Sequence, residues 1–137
     1  RQAGAGEVKE KNMDLFLSAQ DIQYITFGLV KDQTLFCEKT FDVPPENYLA
    51  SLHTFLLEQS LSVSDIKRVF VVNGPGSFTA SRVSVVIANT IAFTQQIGMV
   101  SIENPDRRPM RELMETVLQS KEQTFVVPAY DRPPNIT

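Results

Sequence analysis

Only one cysteine, Cys37, and one histidine, His53, stand among the 137 residues. A lone cysteine permits no internal disulfide, as either a reducing cytosol or mere scarcity would explain. On a strand with no base beside it, Cys37 reads as an inert core thiol. His53 has no second histidine or cysteine at ligand spacing, so it reads as a satisfied or exposed side chain rather than a metal ligand. No apolar run reaches about 18 residues, the length a membrane-crossing helix needs, and no signal-peptide pattern is visible. Thirteen Lys and Arg against sixteen Asp and Glu leave a formal charge of −3. That balance offers no broad basic field, so any contact with nucleic acid is expected to be indirect. There is no G-x-x-x-x-G-K-[ST] loop, no G-x-S-x-G elbow and no convincing triad. No catalytic residue, cofactor or metal is assigned.

What the sequence does have is concentrated in residues 68–96, RVFVVNGPGSFTASRVSVVIANTIAFTQQ. Residues 69–72 are a short apolar run of the kind that forms a strand buried on both faces. Asn73-Gly74-Pro75-Gly76 breaks it with a sharp change of direction. Ser77 or Thr79 can then cap a helix running to about Gln96, with Gly98 as the C-cap candidate. This helix has no ionisable side chain between Arg82 and Glu103, so it is expected to be covered on more than one side. Ala80, Ser84, Ala88 and Ala92 recur every four residues, a small-residue stripe that would let another helix approach closely. Arg82 lies in the first turn, where a cation opposes the helix dipole. A carboxylate of the chain, a partner's carboxylate or a bound anion could each compensate it. The turn itself has two readings, a joint needed for packing or a phosphate cradle made by Gly74, Gly76, Ser77 and Thr79.

Along the chain, residues 1–11 read as a disordered tail. Strands are expected at 13–19, 24–30 and 34–41, joined by tight turns into an antiparallel meander. In the third, Leu35, Cys37 and Lys39 are placed on one face. Asp42 is a candidate cap for a helix over 45–60, whose stripe is Tyr48, Leu49, Leu52, Phe55, Leu56 and Gln59. After the central strand and helix come a strand at 98–102, a helix at 109–119, a short strand at 124–127 and an extended tail at 128–137. Asp106, Arg107, Arg108 and Arg111 form a small mixed-charge patch, read as a solvated helix start or as a tRNA or partner contact. The expected organisation is a single lobe over 12–127. The fold class is α/β, a mixed five-stranded sheet flanked by helices, laid out as in a ribonuclease-H-like or actin-type lobe.

Ser64-Asp65-Ile66, then an apolar strand, then Gly74-Pro75-Gly76-Ser77-Phe78-Thr79 with Arg82 three residues on, resembles the bacterial TsaB (YeaZ) family. The likeness runs more weakly over 14–102. It departs from the family pattern at Ala80 and Ser84, where glycines are usual, at Ser18 and Ala19, where an aspartate ends the first strand, and at Asn47, where a histidine is common. The resemblance implies the N-terminal lobe of an actin-like (ASKHA) fold. It further implies a non-catalytic, cytoplasmic member of the machinery that makes threonylcarbamoyladenosine in tRNA, next to the anticodon. Such a protein pairs with the TsaD-type catalytic subunit as a heterodimer and recruits a TsaE-type ATPase. Carried over, the pairing surface would comprise Ala80, Ser81, Arg82, Ser84, Ala88 and Ala92, with Tyr48, Leu52 and Phe55. The alternatives are a nucleotide- or anion-binding module using the turn at 74–79, or a homodimer through the same helices.

Overall fold

Two tight turns build the first half of the sheet. β1 (Met13–Asp21) and β2 (Tyr24–Lys31) are joined at Ile22-Gln23, and β2 is joined to β3 (Thr34–Phe41) at Asp32-Gln33. Both residues of the second turn have positive φ, 52° and 66°, the two-residue hairpin geometry whose twist matches that of the strands. The computed structural model describes residues 13–118. The expected tail at 1–11, strand at 124–127 and segment at 128–137 lie outside the described residues. The remaining elements are α1 (Tyr48–Glu58), β4 (Ile66–Val72), α2 (Phe78–Gln95), β5 (Gly98–Ile102) and α3 (Met110–Leu118).

The strands form one sheet in the order β3-β2-β1-β4-β5. β2 is antiparallel to β1 and β3, whereas β4 is parallel to β1 and β5. Parallel neighbours need a crossover, supplied by α1 on the way to β4 and by α2 on the way to β5. This is the expected ribonuclease-H-like, actin-type lobe. Because side chains alternate along a strand, β1 sends Leu15, Leu17 and Ala19 into the core beneath α1 and α2. Phe16 goes to the opposite face, where it meets Phe70, Val100 and the α3 residues Met110 and Leu113. Burial on both faces is why 69–72 reads as an unbroken apolar run. At the start of the sheet Arg68 donates to the buried carboxylate of Asp14 at 3.0 Å, across two parallel strands.

Three local expectations need correction. Leu35 and Cys37 lie on opposite faces, because Leu29 pairs with Cys37 and Val30 with Leu35. Phe36 is therefore an extra residue, and this bulge flips the alternation. Asp42 does not cap α1. Pro44 precedes a 3-10 turn over Pro45–Asn47, which leads into the helix without a side-chain cap. Nor does Gly98 cap α2. Gln96 does so in the left-handed conformation (φ 55°, ψ 51°), and Gly98 opens β5. Ser77 is the N-cap, its Oγ accepting the Ala80 N–H at 3.1 Å. Asp65 accepts the Ser62 N–H at 2.8 Å, which shapes the turn before Ile66 enters the core.

Candidate functional site

The inner side of α2 is closed. Ala80, Ser84, Ala88 and Ala92 are buried, with Val85 and Ile91, against the strands beneath. The small-residue stripe does allow close approach, but what approaches is the chain's own sheet. Ser81 is buried too. Tyr48, Leu52 and Phe55 belong to the same core. Phe55 stacks on Phe27 with ring centroids 5.7 Å apart. The Tyr48 hydroxyl reaches the carbonyl oxygens of Asp21 and Tyr24, at 3.2 and 3.3 Å. Its pKa is pushed up to about 12 by burial and, secondarily, by the Asp21 charge. Of the nine residues placed at a partner surface by resemblance, only Arg82 is exposed.

The outer side of α2 is open and apolar. Val86 is 52% exposed and Phe93 80%, and across from them Leu49 of α1 is 64% exposed. Between the helices lies a groove of 470 Å³ lined by Pro45, Leu49, Val83, Val86 and Ile87, with Glu46 and Arg82 at its polar points. Arg82 lies over the Phe78 ring, 5.8 Å from its centre. The Thr90 and Thr94 hydroxyls turn back to the carbonyls of Val86 and Thr90, at 2.8 and 2.9 Å. Such back-bonding satisfies these hydroxyls within the helix itself. Leu57, 61% exposed, continues the apolar stripe along α1.

The glycine turn is a joint. Ser77 N–H donates to the Gln20 carbonyl at 2.8 Å, and the Gly74 carbonyl accepts from Asn104 N–H at 2.8 Å. A β-carbon on Gly76 would stand 2.5 Å from Gln20 O, and its φ is 152°. The Gln20 amide donates to the carbonyls of Pro75 (2.6 Å) and Asn104 (2.8 Å). Asn104 Nδ2 donates back to Gln20 Oε1 at 3.1 Å. The Gly74 carbonyl, Gly76 and both polar groups of Ser77 are thus engaged within the chain. Thr79 lies instead on the wall of the α1–α2 groove. Gly74, Gly76 and Ser77 thus form a packed corner joining β1, β4 and β5. The contact between Gln20 and Asn104 was not legible in the sequence, because 84 positions separate them.

Elsewhere, His53 is exposed. Burial pushes the Cys37 thiol up, with the Glu58 charge adding to the effect. Among the described residues no three His, Cys, Asp or Glu side chains could together hold a metal ion. No described helix is long and apolar enough to cross a membrane.

Residues 46–107 match the family model of TsaD, described as tRNA N6-adenosine threonylcarbamoyltransferase. The match contains α1, β4, the glycine turn, α2 and β5. Among solved structures, YeaZ from Pseudomonas aeruginosa superposes with a TM-score of 0.59 at 18% identity, over 68% of this chain and 44% of that one. The fold of this chain is similar to that of YeaZ. A second structure, an uncharacterized protein with similarity to peptidase YEAZ from Pseudomonas aeruginosa, gives the same TM-score, identity and coverage. The match therefore spans less than half the length of either of those chains. Comparison with curated proteins gives no match.

Proposed function

We propose that this chain is a non-catalytic, cytoplasmic partner in the assembly that forms threonylcarbamoyladenosine in tRNA, pairing with a TsaD-type catalytic subunit through the outer side of α1 and α2. The observation that carries this reading is the apolar groove and ridge of Leu49, Val83, Val86 and Phe93, on a lobe matching the TsaD family model over 46–107. A contiguous exposed apolar surface is costly in a free protein and marks a docking face. Two lobes of one ancestry can pair through corresponding helices in a near-symmetric way. Glu46 and Arg82 in the groove supply polar register, and a TsaE-type ATPase would join the pair. With a formal charge of −3, the contribution to tRNA binding is through the partner.

Co-expression with a TsaD-type subunit tests the reading. The wild-type chain should co-purify as a heterodimer. V86E and F93E should each weaken pairing by at least about tenfold, as expected when a charge enters an apolar contact centre, with unchanged circular dichroism. Pairing that survives both substitutions would refute this surface, and a failure of the wild-type chain to pair would refute the role. A dimer of the chain alone, lost in the same variants, would replace it with self-pairing.

A further inference from the structure

On the opposite face of the sheet, beside α3, a pocket of 160 Å³ is walled by Ser18, Gln20, Thr26, Glu38, Arg107 and Arg108. Two devices build it. Gly28 lacks the side chain that would collide with Met110 Sδ, so the start of α3 settles onto the sheet and brings the preceding loop over the strand ends. Asn104 then holds that loop: its Oδ1 accepts the Arg108 N–H at 2.9 Å and its Nδ2 donates to the Arg108 carbonyl at 2.9 Å. Gln20 steadies Asn104 from below. Arg107 is turned by a left-handed φ of 53°. The mixed-charge patch of the sequence thus becomes one wall of a pocket whose facing wall carries a carboxylate.

Among the described residues neither Arg107 nor Glu38 forms an ion pair, and Arg108 meets only Glu112, at 3.5 Å. An anion alone would gain from the arginines and be opposed by Glu38; a cation alone would face the reverse. A molecule bearing both charges satisfies both walls. The volume is well below the roughly 300 Å³ at which sites for larger ligands begin. We propose that this pocket binds a small zwitterion, a free α-amino acid, with its carboxylate toward Arg107 and Arg108 and its ammonium toward Glu38. Ser18 supplies a hydroxyl between them, beside that of Thr26, which is shared with Thr40 at 2.7 Å. The site is independent of the pairing surface, which lies across the sheet.

Calorimetric titration of the chain with L-serine, N-acetylserine and serinamide tests this. Serine should bind in the millimolar range, and each derivative, lacking one charge, at least about tenfold more weakly. R107M and E38Q, both at exposed positions, should weaken serine to a similar degree. E38Q should at the same time improve N-acetylserine, an effect that general damage to the fold would not produce. Absence of serine binding at millimolar concentration overturns the proposal. So does equal binding of N-acetylserine or inorganic phosphate, which would make the pocket an anion site.

Discussion

The inner and outer sides of α2 draw on nearly the same uncharged residue types. Inward lie Ala80, Ser84, Val85, Ala88, Ile91 and Ala92; outward lie Val86, Thr90 and Phe93, with Arg82 the one charge. Hydrophobicity does not separate them; what marks the inner side is that all four residues of the small stripe lie there, beside Val85 and Ile91. Small side chains let the helix axis come close to the sheet, whereas Val86 and Phe93 stay exposed among the described residues. A stripe of small residues therefore marks where a helix is closely packed, without saying against what.

The contrast can be broken most severely from the inside. Ala88 is 0% exposed, so A88W should lift α2 off the strands and cost about 3 kcal/mol or more. Urea unfolding would read this as a lower midpoint. V86E and F93E on the outside should change stability by less than about 0.5 kcal/mol. A similar loss from both sides would mean that the outer face is also packed.

A smaller effect is expected at the corner that anchors the start of α2. G76A places a β-carbon against Gln20 O in a backbone region that side chains rarely adopt. It should cost about 2 kcal/mol, again by urea unfolding. An unchanged midpoint would mean that the Gln20 contact is dispensable.

The mildest change probes α1. Y48F removes the hydroxyl held by the Asp21 and Tyr24 carbonyls and should cost about 1 kcal/mol at neutral pH. The folded phenol is pushed from its ordinary 10.0 up to about 12, because a phenolate there would be buried and, secondarily, would face the Asp21 charge. Between those values the unfolded chain releases a proton that the folded chain keeps. Stability should therefore fall as pH rises from 10 toward 12, by at most about 1.4 kcal/mol per unit. In Y48F this component of the fall should disappear, which thermal melts across that range would detect.

Much of the architecture was legible because its signals are local. The turns at Ile22-Gln23 and Asp32-Gln33, the apolar run at 69–72 and the Ser77 cap lie within a few residues of what they determine. The bulge at Phe36 was not legible, since an extra residue is recognised only against the strand that it fails to pair with. Which side of α2 is exposed was not legible for a related reason. With no charge between Arg82 and Glu103, periodicity marks no wet side of α2.

The chain's own order of residues determined that three strands would precede a helix, that a glycine-proline turn would join a buried strand to an uncharged helix, and that the arrangement would be actin-like. Those outcomes follow from alternation, helical period and backbone stereochemistry, which act over short stretches. Only the tertiary structure decided which side of α2 would stay open, that Gln20 and Asn104 would lock three strand ends together, and that Glu38 would share a pocket with Arg107 and Arg108. Each depends on side chains far apart in sequence arriving at one place, which is set by how the helices settle on the sheet.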